Sequence, residues 1–181
     1  MPGRCPILLV SGSLRTRSIN AAALRTALAV APDGVEARLY EDMADLPHFN
    51  PDDDVDPLHP AVAELRTAIG AADAVLFSTP EYAGALPGSF KNLLDWTIGD
   101  AQTSSIYEKP VAWINPSPHG AVNAVRSLRT VLEYAHAEIV EDACAGIPIA
   151  PAALGEDGLV ADEAIRDRLA AVLATLADHA R

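Results

Sequence analysis

The stretch Ile7-Leu8-Leu9-Val10-Ser11-Gly12-Ser13-Leu14-Arg15-Thr16-Arg17-Ser18-Ile19-Asn20 decides how this chain folds. Its four consecutive apolar residues show no polar alternation, which predicts a strand covered on both faces. A polar loop follows, and then Leu24, Ala27, Leu28 and Ala31 recur at helical spacing. Pro32-Asp33-Gly34 stops that helix. A buried strand that runs through a loop into a helix is the opening half of a βαβ unit.

The same alternation continues along the chain. Val35–Tyr40 alternates and predicts a second strand, followed by a long acidic loop over residues 41–57 that holds Pro47, Pro51 and Asp52-Asp53-Asp54. Val62, Leu65 and Ile69 mark a helix ending near Gly70, and Ala74-Val75-Leu76-Phe77 a third strand. Phe90, Leu93, Leu94 and Thr97 form one helical face, and Val111-Ala112-Trp113-Ile114 a fourth strand. Val125, Leu128 and Leu132 mark the next helix, and Ile139-Val140 begins a short fifth strand. The last helix carries Ile165, Leu169, Val172, Leu173 and Leu176. Five βα units without an internal repeat predict an α/β three-layer sandwich. The expected sheet is five-stranded and parallel, with the flavodoxin-like order 2-1-3-4-5 and helices on both faces. With no composition shift between units, residues 1–181 are expected to form a single domain.

Composition narrows the function classes. The chain has 181 residues, half of them hydrophobic, and a net charge of -12 from 13 basic and 25 acidic residues. That field repels nucleic acid and anionic membranes. No apolar run approaches the roughly 20 residues of a membrane span. The first apolar run is too short for a signal peptide and lacks a cleavage site. The two cysteines, Cys5 and Cys144, form neither a disulfide framework nor a metal-ligand pair. A cytoplasmic setting with no metal site is therefore expected.

In an open α/β sheet, ligands bind beyond the carboxyl ends of the strands, near the switch in strand order. Here that means the loops after strands one, three and four. The first loop, residues 11–20, carries hydroxyls and two arginines at a helix N-terminus, which suits a phosphate. It matches neither Gly-x-Gly-x-x-Gly nor a Walker A pattern. The competing reading is that Ser18 or Asn20 caps a helix. The second loop, residues 78–92, has two prolines and two glycines that fix an irregular path. Tyr82 suits stacking on a planar ring. Glu81 is a candidate acid, or else holds the loop by accepting backbone N–H bonds, and the second role is favoured. In the third loop, Asn115-Pro116-Ser117-Pro118-His119-Gly120, His119 is a ligand contact, a proton donor or a solvent-exposed residue. The placement of acids excludes a phospho-receiver, and Gly-x-Ser-x-Gly is absent. Residues 52–56 lack the pattern of an EF-hand and are expected to be a solvated charged loop.

Gly12-Ser13-Leu14-Arg15-x-x-Ser18-x-Asn20, with Pro80-Glu81-Tyr82 and Pro87-Gly88-x-x-Lys91-Asn92-x-x-Asp95-Trp96, resembles the NADPH-dependent FMN reductase family. That family includes bacterial quinone, chromate and azo-dye reductases. The resemblance covers nearly the whole chain, and Lys109-Pro110-Val111-Ala112 falls where the family has it. It implies a flavodoxin-like homodimer or homotetramer with FMN near a subunit interface, and a helix over residues 91–96 contributing to the dimer. It assigns the cofactor phosphate to Ser11, Ser13, Arg15, Ser18 and Asn20, with Ile19 contributing backbone. It assigns the isoalloxazine edge to Pro80, Glu81, Tyr82 and the backbone at Ala83 and Gly84. Ser117, His119 and Gly120 fall in the third cofactor loop.

The activity implied is transfer of hydride from NADPH or NADH, through FMN, to a small acceptor such as a quinone. The chemistry is centred on the flavin, so no catalytic side chain is required. Arg15 or Arg17 is the cation available to the 2′-phosphate of NADPH. Two features depart from the family: Ala83 stands where asparagine is usual, and Pro116 and Pro118 stiffen the third loop. They leave open a flavin-free sensor or interaction domain, and the acidic charge leaves open an FMN electron carrier, against which the first-loop arginines count.

Overall fold

Adjacent residues of the central strands serve opposite cores, and this produces the layering. In the computed structural model, which describes residues 4–98 and 106–181, strand β1 is Cys5–Ser11. Ile7 and Leu9 pack on one face and Leu8 and Val10 on the other. The remaining elements are α1 (Ile19–Ala29), β2 (Val35–Tyr40), α2 (Pro60–Gly70), β3 (Ala74–Ser78) and α3 (Gly88–Trp96). They continue with β4 (Pro110–Asn115), α4 (Val122–Tyr134), β5 (Glu138–Ile139), β6 (Ala145–Gly146) and α5 (Glu163–His179). The sheet order is β2-β1-β3-β4-β5, with every pairing parallel. This is the flavodoxin-like order expected from the sequence.

Helices α1 and α5 cover one face through Leu24, Ala27, Leu169, Leu173 and Leu176. Helices α2, α3 and α4 cover the other through Val62, Leu65, Phe90, Leu94, Leu128 and Leu132. These side chains are almost wholly buried, and each of them other than Ala27 contributes about 2 kcal/mol of transfer free energy. Ser11 pairs with Ser78 in the β1–β3 register. That register sets the loops after β1 and β3 side by side at one end of the sheet.

The fifth strand departs from expectation. It is two short segments, β5 and β6, both pairing with β4 and separated by a 3-10 turn at Glu141–Ala143. Val140 and Ala143 drop into the core at this break. Burial of those two side chains keeps the backbone between them out of the ladder.

The acidic loop leaves Asp52, Asp53 and Asp56 exposed to solvent, as expected, while the rest of it is fastened to the body. It contains 3-10 turns at Asp42–Asp45 and Pro51–Asp53. The indole Nε1 of Trp96 and the Nδ2 of Asn92 both donate to the Pro47 carbonyl at 2.8 Å. Asn92 Oδ1 accepts the Phe49 N–H at 2.7 Å. Asp54 forms a two-pronged pair with Arg66 at 2.8 and 2.9 Å, with both side chains nearly buried. The 91–96 segment thus uses Asn92 and Trp96 to fasten this loop within the same chain.

Candidate functional site

The first loop is shaped by its own hydroxyls. Ser11 Oγ accepts the Ser13 N–H at 3.3 Å, and Ser13 Oγ accepts the Arg15 N–H at 3.4 Å. Ser18 is the N-cap of α1, with its buried Oγ accepting the Ala21 N–H at 3.3 Å. The capping reading of Ser18 is correct as far as its side chain goes. Among the described residues, the backbone N–H groups of Thr16, Arg17, Ile19 and Asn20 have no protein acceptor. Two of these free donors, at Ile19 and Asn20, form the positive end of an 11-residue helix, and two more precede its N-cap; helix ends of this kind bind anions. Gly12 lets this loop lie against β3, because a Cβ there would come within 2.5 Å of Thr79 Oγ1 and 2.8 Å of the Phe90 ring.

Asn20 faces the cleft that this loop borders. Its Oδ1 accepts the Ser78 hydroxyl at 2.9 Å in a buried bond. The part of Asn20 left for a bound molecule is therefore its NH2 donor.

In the second loop, Tyr82 and Ala85 exchange two backbone bonds of 3.0 Å. Ala83 and Gly84 between them have φ of 49° and 72°. Two consecutive positive φ values in a two-residue hairpin are a type I′ turn, whose preferred sequence is Asn-Gly. The residue that the family favours at position 83 thus has a backbone reason, and alanine holds the same shape at a cost. The turn projects Tyr82 outward, nearly half exposed.

Glu81 ties the second loop to the third. Helix α4 starts after Ala121, a left-handed N-cap with no side-chain bond of its own. The Glu81 carboxylate takes that place, accepting the Asn123 N–H at 2.8 Å and the Ala124 N–H at 3.1 Å. The Ala124 and Asn123 bonds hold its carboxyl below the usual carboxylate range. This is the loop-holding role, met by backbone donors as expected. In the third loop, Asn115 Oδ1 accepts the Ser117 N–H at 3.0 Å and its Nδ2 donates to the Gly120 carbonyl. His119 lies exposed on the rim.

The three loops and the segment after β6 enclose an open cleft of about 600 Å³. Of the residues expected in the site, Ile19, Asn20, Pro80, Glu81, Ser117 and His119 line it. Ser11, Ser13 and Arg15 line a separate cleft of about 300 Å³ on the β2 side of the loop. Gly120 borders a third hollow, beside Trp113 and Arg129. Tyr82, Ala83 and Gly84 stand outside all three.

Ile149, Pro151, Val122 and Asn123 also line the main cleft, and sequence reasoning passed over them. Ile149 donates its N–H to the Pro116 carbonyl at 3.0 Å, and Ile147 its own to Asn115 at 2.9 Å. This extended segment thus continues beyond β6 alongside the third loop. The available signal was its apolar run just past a strand's carboxyl end. Among the described residues no group of acids, histidines and cysteines is arranged to hold a metal ion.

Known proteins resemble this chain in sequence and in fold. The family model for NADPH-dependent FMN reductase matches residues 5–152. An NAD(P)H-dependent FMN reductase from Pseudomonas aeruginosa is 37% identical over 130 residues, 71% of this chain and 69% of that protein. A quinone reductase from Escherichia coli is 31% identical over 144 residues, 77% of this chain and 76% of the other. Among solved structures, the flavoenzyme NAD(P)H:(acceptor) oxidoreductase FerB from Paracoccus denitrificans superposes with a TM-score of 0.82 at 30% identity. That match covers 97% of this chain and 98% of that one. Agreement of a family model over most of the chain with relatives above 30% identity leaves one assignment: the chain belongs to the NADPH-dependent FMN reductase family.

Proposed function

We propose that this chain is an FMN-dependent oxidoreductase that takes electrons from NADPH or NADH and delivers them to a small-molecule acceptor, with quinones the favoured class. One observation carries the reading: the unpartnered backbone N–H groups of Ile19 and Asn20 stand at the head of α1, and both residues line a largely apolar cleft of ligand size. The donors suit a phosphate monoester. The walls of Pro80, Pro116, Pro118, Ile149 and Pro151 suit a flat heterocycle. The residues present therefore fit FMN, which when bound supplies the hydride and electron chemistry.

The chain's own residues bind, orient and screen. The N–H groups of Thr16, Arg17, Ile19 and Asn20 hold the phosphate, helped by Ser11, Ser13, Arg15 and Ser18 around the loop. The Asn20 amide donates to the polar part of the cofactor, held in place by Ser78. Pro80 and Glu81 border the ring on one side, with Ser117 and His119 on the other, while the turn at Tyr82, Ala83 and Gly84 and the backbone at Gly120 flank these walls from outside the cleft. Rigid proline walls exclude water from the ring, and the carboxylate of Glu81 keeps the two ring-side loops in a fixed relation.

Tyr82 and Val122 beside the cleft, and Leu14 on the first loop, are large apolar residues left exposed. They support assembly as a homodimer or homotetramer that covers this face. The two unpaired cysteines support a cytoplasmic setting.

The test is an absorbance spectrum followed by steady-state NADPH and NADH oxidation with a quinone. The expected result is a flavin spectrum and turnover that depends on the quinone. A colourless protein that stays colourless after FMN is added would overturn the reading.

A further inference from the structure

Cations are scarce in this chain, and most are occupied. Arg38, Arg66, Lys91, Arg129 and Arg181 pair with carboxylates. Lys109, Arg166 and Arg168 donate to backbone carbonyls. Arg4, Arg15, Arg17, Arg25 and Arg126 have no side-chain partner among the described residues, and of these Arg15 and Arg25 stand together. Both line the same cleft of about 300 Å³, between the first loop, α1 and the carboxyl end of β2. Arg17 does not line it. Leaving two guanidinium groups unpaired in one hollow of a chain with 25 acidic residues is a local concentration of positive charge.

The rest of the cleft has a specific character. Leu39, Tyr40 and Met43 supply an apolar floor, and the Glu41 carboxylate stands just past the end of β2. An acid at the end of the second strand of an α/β sheet is where dinucleotide-binding domains read a ribose hydroxyl, and a nearby arginine there accommodates a 2′-phosphate. Two guanidiniums against one carboxylate tip this cleft toward the phosphate. Guanidinium also binds phosphate bidentately, which an ammonium does not.

We propose that this second cleft receives the adenylate end of the nicotinamide co-substrate, with Arg25 pairing to a ribose 2′-phosphate and Arg15 adding to the positive field around it, so that it selects NADPH over NADH. The inference rests on the proposed reductase function and adds a specificity site to it. The main cleft borders the same loop at Ile19 and Asn20, and this one at residues 13–16.

Arg25 is the residue to test, because it lies outside the set assigned to the cofactor. Binding of 2′,5′-ADP and of 5′-ADP to the FMN-loaded protein is measured by calorimetry, for the wild type and for Arg25→Gln. The wild type is expected to bind 2′,5′-ADP at least about tenfold more tightly, as a charge-assisted phosphate contact provides. Arg25→Gln is expected to remove most of that difference and to lower the NADPH:NADH ratio of kcat/KM by a similar factor. Glu41→Gln is expected to raise that ratio. Equal binding of the two nucleotides, no binding of either, or a preference that survives Arg25→Gln would each overturn the proposal. FMN content is read by absorbance on the same samples. A protein that cannot take up FMN fails the reductase reading, and the nucleotide comparison on that sample still reports on the cleft.

Discussion

The carboxylate of Glu81 accepts the backbone N–H of Asn123 at 2.8 Å, although one residue follows β3 and the other opens α4. Because it also accepts the Ala124 N–H at 3.1 Å, it performs the capping that Ala121 cannot. Glu81→Gln weakens this cap and loosens both ring-side loops, lowering the melting temperature by a few degrees and weakening FMN binding. The pH dependence follows from the lowered carboxyl pKa. A folded pKa below the unfolded one adds stability that is fully present above the ordinary value of 4.5 and is lost as pH falls through the folded value. Melting curves of the two proteins should therefore differ most above that value and converge in acid. A gap that widens in acid would contradict the assignment.

Gly12 faces a different constraint, one of space. A methyl group there would sit 2.5 Å from Thr79 Oγ1 and 2.8 Å from the Phe90 ring. Neither neighbour has room to retreat, since Thr79 and Phe90 are both buried. Gly12→Ala should cost about 1–3 kcal/mol, the usual range for overpacking, and should displace the first loop. Urea unfolding reads the first effect and FMN titration the second. The same substitution at Gly88, where a Cβ would meet nothing, should leave the first loop unaffected and serves as the control.

The strand order was legible because the buried strands are continuous apolar runs with βα alternation between them. The place of the first candidate loop was legible for a related reason, since Ser11 to Asn20 sit where any such sheet places a ligand loop. Other features rest on contacts remote in sequence and had no local sign. The bonds from Asn92 and Trp96 to Pro47 span more than 40 residues. The walls at Ile149 and Pro151 depend on a segment following the third loop after the fifth strand has broken. Ala83 was visible as a departure in composition, while its positive φ gives the physical reason an asparagine suits that place.

That φ leads to a stabilising change. Left-handed backbone costs an ordinary residue about 1–2 kcal/mol, and asparagine or glycine much less. Ala83→Asn or Ala83→Gly should therefore raise stability by about 1 kcal/mol at most. Ala83→Val, which is β-branched, should lower it. Thermal melts of the three variants should rank in that order, with the two stabilised proteins retaining FMN. A fall in stability with Ala83→Asn would rule out the type I′ turn.

The pair of Arg66 and Asp54 fixes the acidic loop against α2. Arg66 also donates its Nε to the Trp96 carbonyl at 3.1 Å, so one guanidinium joins the loop, α2 and the end of α3. Both side chains are nearly out of solvent, where removing one partner leaves the other charged and unpaired. Arg66→Ala should cost about 3–5 kcal/mol on that ground. Pairing it with Asp54→Ala removes the stranded carboxylate, so the double variant should lose less than the two single losses added together. A double-mutant cycle by urea unfolding measures that coupling. Strict additivity would mean that the loop is held by Asn92 and Trp96 alone, and that the ion pair is an incidental neighbour.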